Sequence, residues 1–453
     1  MITAINPATG QQINTYPEDS PADVEAKIAA CHNATSSWKR LSIEKRGELL
    51  RLVAKELRKQ QNGLALLMTA EMGKLFAESL AEIEKCAWVC EYYADHAGEF
   101  LADEIIESDA SHSMVTRQPL GTVLAIMPWN FPFWQVFRCA APALMSGNTL
   151  LLKHSSNVPG CAQAIEQIFT AASLPAGVFQ NLLIPSSRVA DVIRDKRVHA
   201  VSLTGSEAAG CSVASVAGES LKKTVLELGG SDAFVVLQDA DIEQAITNAT
   251  TSRFLNCGQS CIAAKRFIVV DAIADEFVGR LKEAIEQLNP GNPINKQTSL
   301  APMARADLRK ELHQQVMQSL EFGARLLAGG KAVEGDGFFY EATLLDNIKP
   351  GMPAYEEELF GPVAAIIRVK DETLALAIAN DSAFGLGGSV WTEDATRGEH
   401  FARQLECGCA FVNGMVKSDP RLPFGGIKNS GYGRELSLLG LYEFTNAKTL
   451  WIR

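Results

Sequence analysis

No uninterrupted apolar stretch approaches the roughly 18 residues that a membrane-crossing helix requires, so no membrane partner is expected. The ten cysteines contain no CxxC pair, which leaves no zinc-ligand spacing and no metal site to expect. Positive charge is in deficit: 42 Lys and Arg stand against 53 Asp and Glu, a formal balance of −11. Phosphate polyanions need a basic surface, so nucleic acid is not the expected partner. The opening Met1-Ile2-Thr3-Ala4-Ile5-Asn6-Pro7 lacks the basic and apolar regions of a signal peptide, so a cytoplasmic location is the expectation. In that compartment a disulfide framework is not expected, and most of the cysteines read as small buried hydrophobes. What is present is ordinary for a soluble globular chain: 47% hydrophobic and 21% charged residues. At 453 residues two or three domains are expected.

The first hundred residues read as helical, with helices opening at Pro21, running from Ile43 to Gln60 and from Glu78 to Phe100. Short apolar strands then alternate with helices. The strands are Ser113–Arg117, Gly121–Met127, Thr149–Lys153, Asn181–Ile184, Ala200–Leu203 and Lys222–Leu226, with a helix from Phe133 to Met145 among them. A second series follows with Ala233–Leu237, Arg266–Val270, a helix Ala274–Leu288 and Val363–Val369. Alternation of this kind predicts an α/β fold built from βαβ units around parallel sheets. The C-terminal run Ala447–Ile452 reads as a strand available to pair with another chain.

Four segments carry chemistry. In Phe254-Leu255-Asn256-Cys257-Gly258-Gln259-Ser260-Cys261, Gly258 interrupts a predicted helix. A cysteine there can serve as a nucleophile beside an oxyanion-binding amide; the plainer reading is a buried loop cysteine. Glu227 ends a strand between apolar residues, where desolvation would raise its pKa toward that of a general base, or where it would simply cap nearby backbone. Asn130 sits in the rigid turn Pro128-Trp129-Asn130-Phe131-Pro132 and can donate to a developing oxyanion, or act as a turn residue. Gly205-Ser206-Glu207-Ala208-Ala209-Gly210 follows a strand and opens a helix, a weak pyrophosphate signal because GxGxxG is absent.

Taken in order, these segments resemble the aldehyde dehydrogenase superfamily. The resemblance also rests on Ile5-Asn6-Pro7-Ala8-Thr9-Gly10, Lys153, Glu227-Leu228-Gly229-Gly230, Glu358-Leu359-Phe360-Gly361-Pro362 and Pro423-Phe424-Gly425-Gly426. It implies oxidation of a small-molecule aldehyde with NADP or NAD. Cys261 would form a thiohemiacetal and then a thioester, with the oxyanion held by Asn130 and the Cys261 N–H, and Glu227 would activate the hydrolytic water. Lys153 would meet the adenosine ribose, Glu358 the nicotinamide ribose, Phe360 the nicotinamide and Ser206 the pyrophosphate; Trp129, Gly205 and Leu228 complete the implied cofactor site. The implied fold has a Rossmann-like cofactor domain (1–110 and 122–228), an α/β catalytic domain (229–425) and a small β oligomerisation arm (111–121 and 444–453). The arm implies a homodimer or homotetramer.

Cofactor choice follows from charge. NAD-selective members of the family place a Glu three residues after the ribose-binding lysine, where it repels a 2′-phosphate. Here that position is Ser156, which can donate to phosphate beside Lys153, so NADP is expected and NAD allowed. For substrate, Trp134 and Arg138 are four residues apart on one helix face, and a guanidinium there suits a carboxylate at the far end of a short aldehyde. Ser418 supplies a second donor. This combination resembles the members, bacterial ones in particular, that oxidise succinate semialdehyde; another short ω-carboxy aldehyde, or cofactor-independent cysteine esterase chemistry, is the alternative. Arg138 as a structural ion-pair partner is the plain reading of that residue. Cys257, four residues before Cys261, is a candidate redox partner if a helical turn places both sulfurs on one side, and otherwise a packing residue. Cys407-x-Cys409 is assigned no chemistry.

Overall fold

Thr149–His154 is buried along its whole length, as expected of a strand covered on both faces by helices. It belongs to a six-stranded sheet in the order Gly431–Tyr432, Lys223–Glu227, Val198–Thr204, Thr122–Met127, Thr149–His154 and Phe179–Asn181. The five strands of the 122–227 region are mutually parallel, and only Gly431–Tyr432 runs antiparallel. The computed structural model describes all residues, 1–453. Strand alternation feeds two cores: Val123, Ala125 and Met127 pack on one face, with the helices Phe76–Phe100 and Trp134–Met145. Leu124 packs on the other face with Leu151, Leu203 and Leu226, under Pro21–Trp38 and Glu207–Glu219.

The chain enters the sheet at Thr122–Met127, winds outward through Thr149–His154 and Phe179–Asn181, then returns to the other side of Thr122–Met127 with Val198–Thr204 and Lys223–Glu227. The direction of winding therefore reverses between Thr122–Met127 and Val198–Thr204. In an open parallel sheet the carboxyl ends of strands at such a reversal diverge and leave a crevice for a ligand.

A second, seven-stranded sheet runs Arg325–Ala328, Thr343–Asp346, Val363–Val369, Ala264–Val270, Asp232–Val236, Gly387–Trp391 and Cys409–Val412. It is parallel except at Arg325–Ala328, and it has its own core around Phe234, Phe267 and Trp391. A third sheet is antiparallel: Thr445–Ile452 pairs with His112–Pro119, which also pairs with Glu104–Ile105. The C-terminal strand, read from sequence as free to pair with another chain, thus has one edge taken within its own chain. Its other edge is the sheet's edge.

The structure differs from the sequence reading at three places. The strand expected at Asn181–Ile184 lies at Phe179–Asn181. Beyond Asn181 the Leu183 N–H donates to the Asp19 carboxylate at 2.9 Å, so a side chain replaces the ladder although Leu182 and Ile184 stay buried. The helical first hundred residues also hold a hairpin, Ile2–Ile5 with Gln12–Tyr16. Gly431–Tyr432 brings the late chain back onto the first sheet beside Glu227. No helix is long and apolar enough to cross a membrane.

Candidate functional site

The helix Ile242–Phe254 ends at the first residue of the cysteine segment. Asn256, Cys257 and Gly258 follow with φ of 55°, 56° and 69°, three consecutive left-handed residues. At Gly258 this conformation is required by space as well as by φ, because a Cβ would collide with the Gly361 carbonyl oxygen and the Arg253 guanidinium. Arg253, fully buried, donates to the Gly258 carbonyl at 2.5 Å and to the Ala264 carbonyl at 3.1 Å. Lys265 donates to the Ser260 and Cys261 carbonyls at 2.9 and 2.8 Å. Cys261 is therefore held on an immobilised backbone between this turn and the strand Ala264–Val270. The left-handed path also removes the premise of a right-handed helical turn linking Cys257 to Cys261. Cys257 is buried in the core of the seven-stranded sheet, whereas Cys261 lines two cavities.

Asn130 comes from the turn just beyond Thr122–Met127, at the carboxyl edge of the first sheet. Its Nδ2 donates to the Gln259 carbonyl at 3.1 Å, and its own carbonyl accepts from Asn256 Nδ2 at 2.8 Å. The turn is fixed from the neighbouring strand by His154, whose Nε2 lies 2.8 Å from the Pro132 carbonyl. Burial pushes the His154 pKa down to about 4, so the ring is neutral and acts as a donor there. With one Nδ2 hydrogen committed to Gln259, the other is available to a ligand oxygen.

Glu227, the last residue of its strand, is buried, and neither carboxylate oxygen has a hydrogen-bond partner. Desolvation and then the neighbouring Glu435 push its pKa well above the ordinary carboxylate range. Gly425, at φ +151°, lets the backbone pass close by: a Cβ there would lie 2.6 Å from Glu227 Oε1. A buried carboxyl without donors has the properties of a proton acceptor awaiting a water. Burial likewise raises the Cys261 thiol to about 12, against the opposing positive charges of Arg138 and Lys265.

The first cavity, about 420 Å³, is bounded by Cys261, Trp134, Arg138 and Ser418 among mainly apolar neighbours such as Phe131, Ile262 and Phe424. Trp134 Nε1 donates to Ser418 Oγ at 3.1 Å. Arg138 is buried and ion-paired through Nε with the Glu435 carboxylate. Its guanidinium lies 4.5 Å from the Phe424 ring centroid, and it reaches Thr204 Oγ1 at 3.4 Å. The helix carrying Trp134 and Arg138 is oriented by Glu82, whose Oε1 accepts from the Phe133 and Trp134 N–H groups, both at 2.9 Å. Lys74 pairs with the same carboxylate. Sequence reasoning missed Glu82, Glu435 and Lys85. Lys85 and Glu82 left a sequence trace: Ala77, Ala81 and Lys85, and likewise Glu78 and Glu82, recur every four residues of one helix, and all line this cavity.

The second cavity, about 530 Å³, opens at the winding reversal of the first sheet and is lined by Trp129, Asn130, Gly205, Ser206, Leu228, Glu358, Phe360 and Cys261. Ser206 caps the helix Glu207–Glu219, its side chain accepting from the Ala209 N–H. Trp129 and Phe360 meet edge to face at 5.7 Å. Glu358 Oε1 accepts from the Gly230 N–H at 3.0 Å and lies 3.3 Å from Lys265. Lys153 and Ser156 are not among these lining residues. Lys153 is the penultimate residue of the next strand, Thr149–His154, level with Ile126, and Ser156 is exposed just beyond that strand. The Lys153 amine is mostly buried without an ion-pair partner, and desolvation lowers its pKa. A helix N-terminus and an aromatic pair on the cavity wall, with an unpaired ammonium on the adjoining strand, fit the phosphates, ring and hydroxyls of a nicotinamide dinucleotide.

Comparison with known proteins agrees with this arrangement. The aldehyde dehydrogenase family model matches residues 1–450. A probable succinate-semialdehyde dehydrogenase [NADP(+)] of Synechocystis sp. is 50% identical over 451 residues, covering 100% of this chain and 99% of that one. Succinate semialdehyde dehydrogenase [NAD(P)+] Sad of Escherichia coli is 46% identical, covering 99% and 97%. Among solved structures, succinic semialdehyde dehydrogenase from Streptococcus pyogenes in complex with NADP+ superposes with a TM-score of 0.98 at 39% identity, over 100% of both chains.

Proposed function

The chain belongs to the aldehyde dehydrogenase family, and from that premise we propose that it oxidises succinate semialdehyde to succinate with NADP, accepting NAD as well. The observation that supports this reading is the position of Cys261, which forms part of the wall of both cavities. One cavity carries basic and hydroxyl groups suited to an ω-carboxylate, and the other suits a dinucleotide.

In the proposed reaction Cys261 Sγ, having lost its proton, adds to the aldehyde carbon. The oxyanion that forms is met by the Asn130 amide and the Cys261 backbone N–H. The nicotinamide cofactor, when bound, supplies the hydride acceptor. Loss of hydride from carbon leaves an acyl thioester on Cys261. Glu227 takes a proton from water as the water oxygen attacks the thioester carbon, and the C–S bond breaks to release the acid and the thiolate. Arg138, Trp134 and Ser418 orient the far end of the substrate. Lys153 and Ser156 would hold the adenosine side of the cofactor and the Ser206 helix end its pyrophosphate, while Glu358 and Phe360 would hold the nicotinamide side, with Trp129, Gly205 and Leu228 completing the site. Cys257 has no part in this chemistry: it lines neither cavity.

A kinetic panel tests the reading. Succinate semialdehyde with NADP is expected to give the highest kcat/KM, above butanal and above either aldehyde with NAD, and no turnover without cofactor. Cofactor-independent hydrolysis of an ester such as p-nitrophenyl acetate, with no aldehyde oxidation when NADP or NAD is added, would instead favour the esterase alternative. Ser156→Glu, which sets a carboxylate where a 2′-phosphate would sit, is expected to lower kcat/KM with NADP by at least about tenfold and to spare NAD. An unchanged cofactor ratio would remove Ser156 from the selectivity argument. The antiparallel sheet carrying Thr445–Ile452 has a free outer edge with Trp451 and Ile452 half exposed, which supports its assignment as an arm that pairs with a second copy in a homodimer or homotetramer. Light scattering reporting the mass of one chain would refute that assignment.

A further inference from the structure

Three cationic side chains border the cavity beside Cys261: Lys85, Arg138 and Lys417. They differ in how much of their charge is available. Arg138 is ion-paired through Nε with Glu435, and Lys417 is exposed to solvent. Lys85 is partly buried on the helix Phe76–Phe100 and forms no ion pair. The nearest acidic groups are engaged elsewhere: Glu82 by Lys74 and two helix N–H groups, and Asp419 by Arg421.

The contacts Lys85 does make are informative. Its Nζ donates to Ser418 Oγ at 2.8 Å and lies 4.3 Å from the Trp134 ring centroid. Ser418 Oγ also accepts from Trp134 Nε1 at 3.1 Å. A hydroxyl oxygen that accepts twice has used both lone pairs, so its own hydrogen must be given to another acceptor. None is present among the surrounding side chains and carbonyls. Apart from the Trp134 ring face, the remaining ammonium hydrogens and the hydroxyl hydrogen have no acceptor, at a mainly apolar wall where a charge without a counter-ion is costly.

We propose that Lys85 is a specificity-determining residue of this enzyme, receiving the terminal carboxylate of the aldehyde together with the Ser418 hydroxyl. Arg138, already paired, fixes the wall against which that carboxylate lies. The proposal rests on the substrate reading above and identifies the group that supplies the free positive charge. Burial and the adjacent Arg138 lower the Lys85 pKa to about 8, opposed by Cys86, Glu82 and Asp419; Glu78 and Lys417 are the other charged groups on the cavity wall. Lys85 is therefore protonated at neutral pH and loses its charge within reach of ordinary assays.

The test compares kcat/KM for succinate semialdehyde and for butanal, the four-carbon aldehyde without a carboxylate. In Lys85→Met the ratio is expected to fall at least about tenfold, chiefly through KM for succinate semialdehyde, and Lys85→Arg is expected to restore part of it. In the unmodified enzyme KM for succinate semialdehyde should climb above about pH 8, and in Lys85→Met that rise should disappear. Succinate, used as a competitive inhibitor, should bind more weakly to the variant in the same proportion. Lys85→Gln gives a second reading if Lys85→Met folds poorly. A ratio within twofold of the unmodified enzyme in these variants overturns the proposal. Absence of any preference for succinate semialdehyde over butanal in the unmodified enzyme is a separate result, and it overturns the substrate reading itself.

Discussion

Glu227→Gln is expected to produce one equivalent of reduced cofactor per subunit in a burst, then to turn over at least about a thousandfold more slowly than the unmodified enzyme. The amide has the shape of the carboxylate but cannot accept the proton of the hydrolytic water, so acyl-enzyme accumulates. The substitution isolates chemistry from folding unusually well. Both Glu227 oxygens lack partners in the folded protein, so no hydrogen bond is lost, and a neutral amide avoids the desolvation and the Glu435 repulsion that raise the native pKa. The apparent melting temperature should therefore not fall. Rapid-mixing absorbance of the reduced nicotinamide, with succinate semialdehyde and NADP, reads the burst directly. A variant that loses the burst as well would place the missing proton transfer at Cys261, whose thiol is pushed up to about 12 by burial. Undiminished steady-state turnover would remove Glu227 from catalysis.

What could be read from the sequence, and what could not, divides along a physical line. Thr149–His154 and Val363–Val369 are legible because strands buried on both faces must be nearly continuous apolar runs. Asn130 and Glu227 are legible because each lies at the end of such a run, where parallel strands deliver side chains to one edge. The local shape at Cys261 was not legible: three successive left-handed residues are imposed by Arg253 and Gly361 packing around Gly258. Arg138 shows the limit most clearly. Its helix and its orientation toward Trp134 follow from four-residue spacing, but its pairing with Glu435 depends on the late chain folding back onto the first sheet beside Glu227. Lys85 and Ser418, 333 residues apart, meet for the same reason. Local periodicity carries no information about such a pair.

The buried Arg138–Glu435 pair predicts a large effect on stability. Arg138→Met is expected to destabilise the protein by about 3–5 kcal/mol, because it strands the Glu435 carboxylate without its cation. The size of the loss should depend on pH in a defined direction. Glu435 has a raised pKa from burial even with Arg138 beside it, and removing the guanidinium raises it further. A carboxyl whose folded pKa exceeds its unfolded value contributes stability that is fully present below the unfolded value and lost as pH rises through the folded one. The gap in apparent melting temperature between the variant and the unmodified protein should therefore be small in acid and widen toward neutral pH. Arg138→Met combined with Glu435→Gln removes both charges, so most of the stability should return and the gap should no longer widen toward neutral pH. The double variant then measures function without the folding defect: a succinate semialdehyde-to-butanal ratio that remains depressed assigns Arg138 a part in holding the carboxylate, and a fully restored ratio leaves it as a structural partner of Glu435. A single variant as stable as the unmodified protein at neutral pH would show that the pair does not hold this wall of the cavity together.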